Sequence, residues 1–329
     1  MNYNFDLPTD RRGTYSLKWD VAANELPMWV ADMDFETAPE IKEAIQKRAG
    51  HGVFGYTVVP EEWYRAIEDW WQVRHHFHME KEWMIFCTGV VPAISSIVRK
   101  MTTVGEKIVL LTPVYNIFFN SIVNNGRYVL ECPLRYENGE YSIDFCELEA
   151  KLADPQASMM IFCNPHNPVG KIWDRHTMEK IGHLRHKVWR GLNTDEAAEP
   201  NVFAMSAAIA AWRNGAPWLE ELRKYLYENK REAAEFLGTQ IPEVSLVSSE
   251  ATYLLWIDCR RITEKDVELK DFLRRETGLY LCEGSEYGKA GEGFLRMNAA
   301  CPRERLKDGL MRMKRGIEAF VCLPERRIQ

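Results

Sequence analysis

The apolar run Met159-Met160-Ile161-Phe162-Cys163, followed by the turn Asn164-Pro165-His166-Asn167-Pro168-Val169-Gly170, decides how this chain is read. An uninterrupted apolar stretch of this length, bounded by turn residues, reads as a strand buried on both faces. The asparagines and prolines end it in a stiff turn. Open α/β sheets bind ligands beyond the carboxyl ends of their strands, so the amide side chains of this turn stand where a ligand would lie.

Strands and helices alternate around it. Thr37-Ala38-Pro39-Glu40 has the pattern of a capping box, opening a helix with Ile41, Ala44, Ile45 and Ala49 on one face and Gly50 as its stop. Trp63, Tyr64, Ile67, Trp70 and Trp71 recur at helical spacing. The patterning then predicts a strand at 83–87, a helix with Pro92 in its first turn, a strand at 107–111 and a helix at 115–124. It continues with a strand at 127–132, a helix at 144–153, the strand at 158–163 and a helix at 174–187. Such alternation predicts a mostly parallel, helix-covered sheet. The remainder reads as an α+β layer: helices at 202–212 and 217–237, a strand at 251–259, a helix at 266–276, a strand at 293–299 and a last helix from Pro302. We expect a short N-terminal segment (1–45) packing with the small domain, a large domain (46–214) and a small C-terminal domain (215–329).

Bulk composition excludes several classes. At 329 residues, 46% apolar and 27% charged, the chain is long enough for two domains sharing an interface. A net charge of −6 offers no basic surface for a phosphate backbone, which argues against nucleic acid as a partner. No apolar run approaches the ~18 residues of a membrane-spanning helix, and the first residues lack the pattern of a signal peptide. Eight scattered cysteines without a C-x-x-C pair point to buried thiols in a reducing cytoplasm. His75, His76 and His78 close an amphipathic helix without carboxylates or cysteines beside them, so they read as solvated rather than metal-binding. His183 and His186 read the same way.

Further short motifs carry chemistry. Thr88-Gly89-Val90-Val91-Pro92 lies between a strand and a helix start, where free backbone amides suit a phosphate. Phe54-Gly55-Tyr56-Thr57 and Pro113-Val114-Tyr115 each read, alone, as packing. Arg296, within Leu295-Arg296-Met297-Asn298-Ala299-Ala300-Cys301-Pro302-Arg303, reads alone as a surface strand arginine.

Taken together with Trp29-Val30-Ala31-Asp32-Met33-Asp34-Phe35, and in this order, these motifs resemble the pyridoxal-phosphate-dependent aminotransferase class I/II superfamily. The nearest branch is that of cystathionine β-lyases and related carbon–sulfur lyases, and the resemblance covers essentially the whole chain. It implies fold type I: a large domain built on a mostly parallel sheet, plus a smaller α+β domain. It implies that Val90 and Val91 offer backbone amides to the phosphate of pyridoxal 5′-phosphate, and that Tyr56 reaches it from the other subunit of a homodimer. Tyr115 would lie against the pyridine ring, and Asn167 would bond its phenolic oxygen and border the substrate. Arg296 would hold the carboxylate of a small amino-acid substrate with its planar fork.

The family also needs a Schiff-base lysine and a carboxylate beside the pyridine nitrogen, both on strand ends after the Asn-Pro turn. Here His183-Leu184-Arg185-His186-Lys187 runs directly into Val188-Trp189-Arg190-Gly191-Leu192-Asn193, which resembles sequence well beyond the lysine. Three strands with their connections, roughly 50–70 residues, are missing at 187/188. No catalytic lysine is identified, and covalent cofactor attachment is not expected. The missing strands would lie between those at 83–87 and 158–163, leaving unpaired edges. The expected function is C–S bond β-elimination from cystathionine or a related S-linked amino acid, giving thiol, pyruvate and ammonia, impaired in this chain. The alternatives are a catalytically silent binding or regulatory member and an aminotransferase of the same superfamily.

Overall fold

The computed structural model describes residues 3–182 and 200–323, with side chains at 179–182 excluded. In chain order it contains β1 (Leu26–Pro27), α1 (Pro39–Gly50), α2 (Glu61–His75), α3 (Val90–Met101), β2 (Lys107–Thr112), α4 (Ile117–Val123) and β3 (Tyr128–Pro133). Then come β4 (Arg135–Glu137), β5 (Glu140–Ser142), α5 (Phe145–Leu152), β6 (Ala157–Ile161) and α6 (Arg175–Gly182). The rest comprises α7 (Ala204–Asn214), α8 (Ala216–Gln240), β7 (Ser245–Leu246), β8 (Leu254–Asp258), α9 (Asp266–Thr277), β9 (Leu279–Tyr280), β10 (Cys282–Glu283), β11 (Phe294–Asn298) and α10 (Arg303–Val321).

The parallel sheet has the order β3–β2–β6. Its central strand shows why an apolar run is needed there. Val109 and Leu111 face a core with Leu134, Trp173 and Trp256, while Ile108 and Leu110 face another with Val98, Phe118 and Ile122. Period-two alternation therefore points apolar groups to both sides, and burying each such side chain stabilises the fold by about 2 kcal/mol. The expected strand at 83–87 does not form. Lys81–Trp83 makes a single 3-10 turn, 84–87 carries no ladder, and Trp83 is 58% exposed. Among the described residues no strand pairs with this segment, and an isolated strand is not stable without a neighbour.

Two local expectations also need correction. Helix α1 starts at Pro39 with Ala38 at its N-cap and no side-chain cap, so Thr37 stands one residue too early to cap it. Proline at the first helical position, where no amide partner is needed, sets the start instead. Between β3 and α5 the chain forms a hairpin, β4–β5, where the patterning predicts no element. Its turn residues Asn138 and Gly139 both have positive φ (52° and 82°), as the two-residue hairpin turn requires. By contrast, Asp144 caps α5 by accepting from the amides of Cys146 and Glu147. The end of the helix expected at 174–187 lies outside the described residues.

In the C-terminal part an antiparallel sheet of order β7–β8–β11–β10 packs on α8, α9 and α10. Leu255 and Ile257 of β8 enter that core, whereas Trp256 faces the opposite way and donates to the Tyr141 hydroxyl at 3.2 Å. One strand thereby joins both halves. The N-terminal segment attaches here as well, through parallel pairing of β1 with β9. Among the described residues, Cys132, Cys259, Cys282 and Cys301 are buried free thiols, and no helix is long and apolar enough to cross a membrane.

Candidate functional site

The segment following β1 runs beside β11, and its carbonyl groups hold two side chains of that strand. Asn298 donates from Nδ2 to Val30 (2.7 Å) and Asp32 (2.9 Å), and its amide donates to Met28 at 2.8 Å. Arg296, on the same face two residues earlier, donates from Nη2 to Trp29 at 2.8 Å. Its guanidinium carbon lies 4.8 Å from the centre of the Tyr287 ring. Arg296 is only 5% exposed, its Nε is buried without a partner, and no carboxylate ion-pairs with it among the described residues. A desolvated guanidinium held by neutral groups is costly until an anion meets it. The planar fork makes a carboxylate the fitting anion.

The Asn-Pro turn lies beyond the carboxyl end of β6, as its sequence implies. The His166 amide donates to Lys171 O and the Gly170 amide to His166 O, both at 2.7 Å. Gly170 has φ of +71°, and a Cβ there would stand 2.5 Å from Ser249 Cβ. Only glycine allows this close approach. The approach lets the amides of Glu250 and Ala251 both donate to Gly170 O at 2.9 Å. The turn is thus seated on the segment 249–251, with Asn167 Oδ1 buried and unpartnered.

At the carboxyl end of β2 the chain turns through Pro113. The Val114 amide donates to Tyr287 O (2.8 Å), and Asn116 Nδ2 donates to Glu286 Oε1 (2.6 Å). The segment carrying Tyr115 is therefore fastened to the residues beside Arg296. Tyr115 and Asn167 lie just past the carboxyl ends of β2 and β6, and Arg296 lies in the middle of β11; the links between these segments are His166 Nε2 to Pro113 O at 2.9 Å and the Val114 amide to Tyr287 O at 2.8 Å. Val90 and Val91 are the first two residues of α3 after Gly89, so their backbone amides lie at the amino terminus of the helix, and their side chains are 71% and 38% exposed. Tyr56 is fully exposed within a coil whose Val53, Phe54 and Val58 are also exposed, and it joins none of these groups within the protomer.

Burial sets the protonation states. His166, fully buried, is lowered to about 4 by desolvation, opposed by its bond to Pro113 O at 2.9 Å. Desolvation raises Glu286, with Arg296 opposing, and raises Tyr287 and the Cys282 thiol against the same arginine.

These residues fit an amino-acid carboxylate, at Arg296. At the opening of α3 a Cβ on Gly89 would meet only Pro92, at 3.5 Å, so the space beside the first amides of the helix is open. Among the described residues no lysine side chain hydrogen-bonds Asn167 or Tyr115. Lys187 and Val188, at the junction, lie outside them, as do His183 and His186. Sequence reading missed the parts of Trp29, Asn298 and Asp34. The motif 29–35 signalled importance, but only the structure shows that its carbonyl groups are the ligands for Arg296 and Asn298. Asp34, 1% exposed, anchors the segment by accepting from Lys18 (3.0 Å), Arg11 (3.0 Å) and Trp19 Nε1 (2.9 Å).

The chain matches the model of the family "Aminotransferase class I and II" over residues 24–197 and 200–313. It is 35% identical to "Cystathionine beta-lyase PatB" of Bacillus subtilis (strain 168), over 94% of this chain and 99% of that protein. That alignment is 382 positions long, 53 more than the 329 residues of the chain, so at least that many positions of the relative face a gap. Cystalysin from Treponema denticola, whose crystal structure contains pyridoxal 5′-phosphate, superposes with a TM-score of 0.90 at 26% identity. The match covers 97% of this chain and all of that one. The pyridoxal-phosphate-bound C-S lyase from Staphylococcus hominis gives 0.89 at 25% identity, covering 96% and 98%. With fold, motif order and family model in agreement, the chain belongs to the aminotransferase class I and II family.

Proposed function

We propose that this chain is a carbon–sulfur lyase by lineage. Its reaction class is pyridoxal-phosphate-dependent β-elimination from cystathionine or a related S-linked amino acid, giving thiol, pyruvate and ammonia. The observation that carries this reading is Arg296: nearly inaccessible, bonded only to neutral groups, and with its Nε unpartnered. The relatives named as lyases support the choice of reaction. The cofactor of this family supplies an electron sink when bound. This chain's own residues receive the substrate carboxylate at Arg296, while Asn167 presents its carbonyl and Tyr115 an aromatic face. Lacking a lysine and a carboxylate in that place, the 329-residue chain binds amino acid without efficient turnover. The same loss favours a second reading, a silent binding member that keeps the carboxylate site.

The assembly we propose is a homodimer, supported by the exposed Val53, Phe54, Tyr56 and Val58. Residues 46–214 form the cofactor domain, 215–329 the small domain, and 1–45 attach to the latter. A cytoplasmic setting is in keeping with the free thiols. The test is thiol release from cystathionine, alongside calorimetric binding of the same compound. Binding that Arg296→Ala abolishes, with turnover near background, is the expected result. Vigorous thiol release would refute the impairment, and binding indifferent to Arg296 would refute the site.

A further inference from the structure

Glu286 is a carboxylate without a counter-ion at the edge of the Arg296 site. It rides on the short 3-10 turn Gly284–Tyr287 that follows β10, and two bonds pin that turn. The Ser285 amide donates to the buried Asp266 carboxylate at 2.7 Å, and the Val114 amide donates to Tyr287 O at 2.8 Å. The Tyr287 side chain is buried, with the Arg296 guanidinium carbon 4.8 Å from its ring, whereas Glu286 is exposed. Glu286 Oε1 accepts from Nδ2 of Asn116, the residue after Tyr115, at 2.6 Å. Among the described residues no cation ion-pairs with it. Lys270, whose charge reaches Glu286, is engaged by Glu283 (3.2 Å) and Asp271 (3.3 Å).

A neutral amide donor leaves the charge of the carboxylate uncompensated. Desolvation and the neighbouring Glu283 both disfavour that charge, and Arg296 is near enough to oppose them without pairing with it. The site thus holds two unneutralised charges of opposite sign, kept apart: the cation in the interior, the anion at the solvent-facing edge. The ligand that matches both has a carboxylate at one end and a cation further along its chain.

We infer that Glu286 is a specificity-determining residue. It receives an ammonium group at the far end of an amino acid whose carboxylate lies on Arg296, and so favours S-linked diamino acids over S-alkyl cysteines. The inference rests on the carboxylate site proposed above and names the ligand class which that site prefers. A glutamate that merely ties the turn 284–287 to Asn116 would show the same hydrogen bond but no preference between ligands, which gives the experiment its contrast.

S-(2-aminoethyl)cysteine and S-propylcysteine are nearly isosteric and differ in the terminal ammonium. Each is titrated calorimetrically into the full chain at neutral pH. The aminoethyl compound is expected to bind about threefold more tightly, a preference that one partly exposed ion pair can sustain. High salt should narrow the difference. Glu286→Gln keeps an acceptor for Asn116 but removes the charge, so it should bring the ratio near one, chiefly by weakening the aminoethyl compound. Glu286→Asp, which keeps the charge, should retain part of the preference. Equal affinities in the unaltered chain, a ratio that survives Glu286→Gln, or an equal loss for both compounds would overturn the inference. Arg296→Ala separates it from the reading beneath it. If both compounds bind equally and both need Arg296, the Glu286 assignment falls alone; if neither binds the unaltered chain, both readings fall.

Discussion

Arg296 donates to the carbonyl oxygen of Trp29 at 2.8 Å, so the strand that carries the cation is fixed by a backbone 267 residues earlier in the chain. The bond occupies Nη2 and fixes the plane of the guanidinium, while Nε stays buried without a partner. Arg296→Lys keeps the charge but loses both the planar fork and its bond to Trp29. A charge-assisted hydrogen bond contributes roughly 1.5–3 kcal/mol, so either Lys or Ala here should weaken amino-acid binding by tenfold or more. Isothermal calorimetry with cystathionine measures this. Undiminished affinity in the lysine variant would show that charge alone suffices.

Much of this was legible in the sequence. The apolar runs of β2 and β6 and the small domain's strand–helix pattern follow from periodicity, because tertiary packing there agrees with local preference. The fold's gap was legible too, since a family motif order with a stretch removed implies unpaired strands. The segment 83–87 has a strand's composition, yet strand formation depends on a neighbour the sequence no longer supplies. Asn138-Gly139 is a readable hairpin signal, since both residues take the positive φ that a two-residue turn needs. The carbonyl ligands of Arg296 and Asn298 were not legible, because any residue type offers a carbonyl group and only geometry selects Trp29, Val30 and Asp32.

Asp34 should prove essential to stability. Burial, the largest influence, pushes its pKa up, but Lys18, Trp19 and Arg11 outweigh it and hold the carboxyl below its ordinary value. Arg305 adds a contact at 3.2 Å. Removing one member of a buried charge set costs about 3–5 kcal/mol, so Asp34→Ala should lower the chemical-denaturation midpoint sharply. A depressed carboxyl pKa stabilises the fold at pH values above the unfolded value of about 3.9, and that stability is lost as pH falls through the folded pKa. The variant should therefore lose part of the wild-type acid dependence below about pH 4. An unchanged midpoint would contradict the anchoring role.

His166 supplies a second, separate acid dependence. Its folded pKa is about 4 because burial disfavours the imidazolium, against about 6.5 in an unfolded chain. The unfolded state then binds the proton first, so stability is complete above pH about 6.5 and falls as pH drops toward the folded value. The loss amounts to roughly 3 kcal/mol across the window. His166→Gln should flatten the stability curve between these limits, as read by urea unfolding at stepped pH. An equally steep curve in the variant would mean that His166 is not the titrating group.

The last expectation concerns the gap. The relative's alignment exceeds this chain by at least 53 positions, and the segment 84–87 has no ladder partner. Both facts are explained by one missing block of strands. If so, the backbone amides at 85–87 should exchange rapidly with solvent in the chain as it stands, since no ladder protects them, while the Met84 amide is held by Lys81 O at 3.0 Å. Inserting at Lys187–Val188 the stretch of PatB that faces the gap should slow exchange at 85–87 and raise thiol release together. The coupling is the argument: a lysine and a carboxylate gain their positions from strand ends, and strand ends need the whole block paired. A single lysine inserted at the junction should restore neither protection nor turnover. Turnover rescued by that one residue, with 85–87 still exchanging freely, would show that the site does not depend on the missing sheet.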